Sequence, residues 1–153
     1  MQRASFRPAG RFDPALLADI RAQAMRPSLE AVGRFDPDRA RDRLLSAYAA
    51  EDTVLAYLGD ALAGFYVLRP RADHLYLDHL YVLAAHQGAG LGRQMVARVQ
   101  DRARAARLPV QLTALRGSPA NGFYQSCGFE LTGSDALDNR YEWRASARGE
   151  AQP

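Results

Sequence analysis

The stretch Ala84-Ala85-His86-Gln87-Gly88-Ala89-Gly90-Leu91-Gly92-Arg93 follows an apolar and aromatic run, Leu75 to Leu83, and leads into a segment where Leu91, Met95, Val99 and Ala103 recur every four residues. A strand therefore passes through a glycine-rich connection into a helix that runs to about Arg107. Gly88, Gly90 and Gly92 stand at alternate positions. They remove the Cβ atoms that would hold an anion away from backbone N–H groups, and the first helical turn adds its own unpaired N–H groups and dipole. The stretch reads either as a phosphate cradle or as a simple bend between strand and helix.

Upstream, Thr53 to Leu58 and Ala61 to Leu68 are two β-rich runs separated only by Gly59-Asp60, the composition of a tight hairpin. Before them, Asp13-Pro14 and Asp36-Pro37 each supply a capping carboxylate and a first-turn proline. They predict a first helix over Asp13 to Met25, a further turn over Ser28 to Val32 closed by Gly33, and a second helix over roughly 37–50. Downstream, Pro109 to Leu115 reads as a strand and Ser118-Pro119 as the cap of a short helix through Cys127, ended by Gly128. Phe129 to Thr132 and Tyr141 to Trp143 read as two last short strands, and 146–153 as a polar tail after a single domain over 1–145. Two helices, three strands, helix, strand, short helix and two strands predict an α+β (mixed α/β) fold, a sheet with helices on its faces.

At 153 residues the chain has the size of one globular domain, and 48% hydrophobic with 24% charged residues excludes a disordered tail. The longest apolar stretch is far short of the roughly 20 residues of a membrane span, and no apolar block follows Arg3. The expectations are a cytoplasmic protein and no membrane partner. The single Cys127 forms no internal disulfide, and no Cys/His spacing suggests a metal site. The net charge is +3 and all 20 basic residues are arginine, scattered among 17 acidic residues rather than gathered on one run, so no nucleic-acid partner is expected.

Two phosphate-binding patterns fail on the loop. A dinucleotide fingerprint would place its third glycine where Arg93 stands and an acidic residue in the strand Val110 to Leu115, which has none. A nucleoside-triphosphate loop needs a lysine, which this sequence lacks altogether. The surviving pattern, Q/R-x-x-G-x-G/A over Gln87-Gly88-Ala89-Gly90-Leu91-Gly92, resembles that of the GNAT superfamily, the Gcn5-related N-acetyltransferases. Two further landmarks follow in the right order. Leu80-Tyr81-Val82 ends a strand just before the loop, and Ala120-Asn121-Gly122-Phe123-Tyr124-Gln125-Ser126-Cys127-Gly128-Phe129 is similar to the family's later helix with its tyrosine and terminal Gly-Phe.

The resemblance covers about residues 53–144 and implies the GNAT acyl-CoA N-acyltransferase fold, with a central, mostly antiparallel sheet and helices on both faces. It implies acetyl-CoA as cosubstrate, no metal, and transfer of the acetyl group to a primary amine of a small molecule or peptide. A homodimer is compatible with it. On the same footing, backbone groups of Leu80, Tyr81 and Val82 meet the pantetheine arm, and those of Gln87, Gly88, Ala89, Gly90, Leu91, Gly92 and Arg93 hold the pyrophosphate. Tyr124 serves the departing sulfur. The family's asparagine seven residues before that tyrosine is Gly117 here, leaving the Ser118 hydroxyl as the candidate contact. Some relatives carry a glutamate on the fifth strand, but Val110-Gln111-Leu112-Thr113-Ala114-Leu115 has no carboxylate. Asp78 and His79 are then the proton-acceptor candidates, beside a water-mediated route. Period two puts Asp78 on the face of Leu80 and Val82; a bulge would exchange it for His79. A domain that binds the nucleotide without turnover and transfer of another acyl group are the alternatives. The acceptor itself has no recognisable code.

Overall fold

The computed structural model describes residues 2–146. In chain order the elements are β1 (Ser5–Pro8), α1 (Pro14–Ala31), α2 (Pro37–Leu45), β2 (Thr53–Leu58), β3 (Ala61–Pro70), β4 (Leu75–Val82), α3 (Leu91–Ala106), β5 (Val110–Leu115), α4 (Pro119–Ser126), β6 (Glu130–Ser134) and β7 (Asp138–Trp143). Single 3₁₀ turns occupy Ala50–Asp52 and Ala84–His86. The strands form one seven-stranded sheet in the order β1-β2-β3-β4-β5-β7-β6. β4 and β5 run parallel, whereas β1–β2, β2–β3, β5–β7 and β6–β7 are antiparallel. The expected mixed fold is present. The chain divides into two compact units, Met1–Val67 with His79–Gly92, and Leu68–Asp78 with Arg93–Pro153.

In the first unit both helix starts follow the sequence. Asp13 accepts from the Ala15 N–H and Asp36 from the Arg39 N–H, each at 3.0 Å, with Pro14 and Pro37 opening the helices. α1 does not stop at Met25 as predicted but runs through Pro27 to Ala31. Proline deprives the Gln23 carbonyl of its helical donor, yet both residues lie on the exposed side, where water can serve that carbonyl. α2 ends at Leu45, five residues earlier than predicted. The Ser46 N–H makes the last helical bond to Asp42, Ala49 is extended, and Thr53 donates its hydroxyl to the Ala49 carbonyl at 2.9 Å. The chain is thus turned into β2, which pairs with β3 across Gly59-Asp60, where Gly59 has φ +62°. Around Ala9, Leu17, Ala18, Leu44, Leu55, Phe65 and Val67 the unit closes its core, with Tyr48 and Tyr81 packed at the margin.

In the second unit β5 pairs along its whole length with β7, from Val110 opposite Trp143 to Leu115 opposite Asp138. The parallel register with β4 covers Leu75 opposite Val110 and Tyr76 opposite Gln111, and the Tyr76 hydroxyl donates to Thr113 at 3.0 Å. Met95, Val99 and Ala103 of α3 are buried, as the four-residue spacing predicted, and Val96 is buried beside them. β7 begins at Asp138 rather than Tyr141. Asp135 accepts from the N–H groups of Leu137 and Asp138, and this Asx turn brings the chain into register three residues early. The expected tail falls, apart from Ser146, outside the described residues. Among the described residues no helix is long and apolar enough to cross a membrane.

Candidate active site

The glycine connection lies between the end of β4 and the start of α3. After the 3₁₀ turn Ala84–His86, Gln87 is extended and Gly88 and Gly90 take φ values of +84° and +80°. Such dihedrals strain any residue with a Cβ, so the two glycines are required by the path of the chain. A Cβ built on Gly88 would meet nothing within 4 Å, which leaves open space over this peptide. Leu91 is buried and anchors the helix start, and the first turn of α3, with Gly92, has no acidic residue to compete for its N–H groups. Gln87 donates its side-chain amide to the Val82 carbonyl at 3.2 Å, clamping the loop to the strand it leaves. The donor chemistry of residues 87–92 fits an anionic group such as a pyrophosphate.

Burial alternates from Leu75 to Leu80 along β4: Leu75, Leu77 and His79 are buried, and Tyr76, Asp78 and Leu80 are less so. Asp78, in the second unit, is ion-paired with Arg69, Nε to Oδ2 at 2.9 Å, with side chains 8% and 7% exposed. A carboxylate held this way is stabilised as the anion and is a poor proton acceptor.

His79, in the first unit, is only 2% exposed and belongs to a chain of four side chains. Arg43 of α2 faces Nε2 at 3.2 Å, Nδ1 lies 2.9 Å from the Tyr81 hydroxyl, and Arg21 of α1 donates Nε–H to that same hydroxyl at 3.0 Å. A guanidinium can only donate, so Nε2 of His79 accepts and the imidazole proton sits on Nδ1, from which it is donated to Tyr81. Arg21 is held from its other end by the Ala40 carbonyl at 2.9 Å, and the Phe65 ring packs at 5.5 Å from the Tyr81 ring. The sequence reading weighed Tyr81 only for its backbone and passed over both arginines. Arg21 carried a signal nonetheless, since it follows the buried Leu17 and Ala18 by four and three residues and shares their helical face.

In the second unit Tyr124 is 8% exposed, with Phe123 and Phe129 at ring-centroid distances of 5.2 and 5.5 Å. The end of its helix is set by Gly128, φ +93°, where Phe129 N–H returns to the Tyr124 carbonyl at 3.0 Å. At the helix start the expectation for Ser118 is corrected: no side-chain cap forms, and its hydroxyl donates to the Leu115 carbonyl at 2.8 Å. Asn121, which sequence reasoning missed, ties this end together. Its amide donates to the Leu115 and Ser118 carbonyls, and its oxygen accepts from Asn139 and the Tyr141 hydroxyl. Arg93 extends to Ser126 at 2.9 Å, so its side chain is held against the end of α4. Burial pushes the Cys127 thiol up, against the smaller opposing effects of Ser126 and Arg93, as suits packing rather than nucleophilic attack.

The sequence matches the Acetyltransferase (GNAT) family over residues 18–129. No curated protein matches it in sequence. Among solved structures, the PaiA N-acetyltransferase from Thermoplasma acidophilum, in complex with coenzyme A, is similar with a TM-score of 0.73 at 14% identity, over 94% of this chain and 99% of that one. A GNAT family acetyltransferase from Elizabethkingia anophelis with acetyl-CoA bound is similar at 0.67 and 18% identity, over 93% and 98%. An acetyltransferase from Thermus thermophilus is similar at 0.65 and 22% identity, over 95% and 100%. At these identities the likeness is one of fold.

Proposed function

The chain belongs to the GNAT acetyltransferase family, and we propose that it moves an acetyl group from acetyl-CoA to the nitrogen of a primary amine by direct attack on the thioester. The observation that carries this reading is the connection at 87–92, with left-handed glycines at 88 and 90 opening onto a helix whose first turn has no acidic residue. Coenzyme A and acetyl-CoA in two of the similar structures support the same cosubstrate.

In this reading the N–H groups from Gly88 to Arg93 hold the pyrophosphate, with Gln87 fixing the loop's origin, and backbone groups of Leu80, Tyr81 and Val82 line the pantetheine arm. Ser118 is a weaker contact candidate, because its hydroxyl already serves Leu115. Acyl transfer needs a neutral amine, a polarised carbonyl and a proton for the leaving sulfur. Tyr124 supplies the last as a positioned hydrogen bond. Its phenol, with an ordinary pKa of about 10 against about 8.5 for a thiol, suits a hydrogen-bond donor better than a free acid. Of the two proton-acceptor candidates, Asp78 is neutralised by Arg69, and the imidazole acceptor atom of His79 is taken by Arg43. A second reading, a domain that binds acetyl-CoA without turnover, draws on these two observations.

Calorimetric titration with acetyl-CoA, with NAD and ATP as controls, tests the cosubstrate. Low-micromolar affinity for acetyl-CoA alone, about 8 kcal/mol, is expected, and absence of binding would overturn the reading. Thiol release with a panel of primary amines (propylamine, tyramine, spermidine and a tripeptide with a free N-terminus) then separates the two readings. Tyr124→Phe is expected to keep acetyl-CoA affinity and lose about 10²-fold in turnover.

A further inference from the structure

The four-residue chain in the first unit has a direction. Arg43 donates to Nε2 of His79, so His79 is neutral with its proton on Nδ1; that proton is donated to Oη of Tyr81, and Arg21 donates to the same oxygen from the other side. These three hydrogen bonds therefore point toward Tyr81. His79 cannot take the phenolic proton, because Nδ1 already carries one and Nε2 faces a guanidinium. One oxygen with two converging N–H donors, one of them on a permanently charged group, is an environment made for negative charge, since hydrogen bonds donated to the charged form of an acid favour that form. Among the groups set on it are Arg21 from α1 and His79 from β4, with Arg43 of α2 behind the imidazole, and the apolar ring of Phe65 from β3.

We propose that Tyr81, held as a phenolate by Arg21 and His79, is the proton acceptor for the substrate amine, and that His79 and Arg43 are positioning residues. This inference rests on the transferase reading. Of the three protons of the incoming ammonium, one passes to Oη of Tyr81 and leaves a nitrogen lone pair. That pair forms the C–N bond, the C–S bonding pair departs on sulfur, a second proton ends on the thiol and the third stays in the amide. The proton on Tyr81 returns to solvent before the next turnover. A tyrosinate stabilised in this way is a weaker base than a free one, and the transfer runs forward because C–N bond formation consumes the neutral amine as it forms.

Two measurements decide it. In the first, tyrosinate absorbance is titrated in the wild type and in Tyr81→Phe without any substrate. The difference is expected to show one tyrosinate formed at lower pH than the remaining tyrosines, and a Tyr81 that ionises together with them would overturn the proposal. In the second, kcat/KM for the best amine of the panel is followed against pH. Tyr81→Phe is expected to lose 10²- to 10³-fold with acetyl-CoA affinity unchanged. His79→Ala and Arg21→Met, which keep the phenol and remove one donor each, are expected to move the acid limb to higher pH. A structural role alone would not move that limb, and either of the two variants suffices if the other fails to fold. Wild-type kcat/KM in Tyr81→Phe, with the acid limb in place, would overturn the proposal. Failure of the wild type to bind acetyl-CoA would instead overturn the transferase reading, and the absorbance titration would still decide the state of Tyr81.

Discussion

Asp78 and His79 are neighbours on β4, each is answered by an arginine, and the consequences are opposite. Arg69 closes on the Asp78 carboxylate and the two charges cancel within a buried pair. Arg43 meets the acceptor nitrogen of His79, fixes the tautomer, and so passes polarity along the strand to Tyr81. The same guanidinium chemistry silences a carboxylate and makes a histidine directional. What differs is the partner: a carboxylate can only accept, whereas an imidazole accepts at one end and donates at the other.

The comparison can be broken by mutation. The largest effect is expected from Asp78→Ala, which takes its carboxylate away from the buried Arg69 and should cost about 3–5 kcal/mol in chemical denaturation. A cost below about 1 kcal/mol would mean that the pair is hydrated and Asp78 available. Next comes Asn121→Ala, which removes partners from the Leu115 carbonyl, Asn139 and Tyr141 at once and should cost about 3 kcal/mol. His79→Ala loses a buried ring and its bonds, for about 2 kcal/mol by the same assay, and should leave acetyl-CoA affinity unchanged. Tyr48→Phe has the reverse sign. Its hydroxyl is buried with no hydrogen bond of good geometry, and the Thr53 hydroxyl beside it already donates to Ala49, so removing it should leave the melting temperature unchanged or slightly higher.

The smallest effect concerns pH. Backbone N–H groups of Asp138 and Leu137 hold the exposed Asp135 carboxyl below its ordinary range. Its contribution is therefore present above that range and fades as pH falls through the folded value. Protection factors of amides in the turn between β6 and β7, corrected for the intrinsic rate at each pH, should fall on acidification in the wild type, and Asp135→Ala should show the low protection at neutral pH.

Much of this molecule was legible because its signals are local. Asp13-Pro14, Asp36-Pro37, Gly59-Asp60 and Gly128 each act on the backbone within a few residues, and all four stand where the sequence placed them. The glycine connection was legible for the same reason. Element ends set by tertiary demands were not: α2 stops at Leu45 because Thr53 and the core draw the chain into β2, and α1 passes Pro27 because that face is exposed. Hydrogen-bonded groups far apart in sequence were the least legible. Period two puts His79 and Tyr81 on one face of β4, but nothing in the sequence announces that Arg21 and Arg43, from two helices, meet them there. The proton-acceptor candidates could be named from β4, but only the arginines opposite them distinguish their chemistry.

The division of the chain also has a consequence for its birth on the ribosome. The first unit needs His79–Gly92 to complete what Met1–Val67 begins, and Leu68–Asp78 belongs to a second unit whose remainder starts only at Arg93. Neither unit is one continuous peptide: the first is complete once Gly92 has emerged, whereas the second, begun at Leu68, waits for the residues from Arg93 onward. The segment Leu68–Asp78, which holds the end of β3 and the start of β4, therefore waits for residues that emerge after Gly92, and contacts so far apart in sequence slow the completion of the fold.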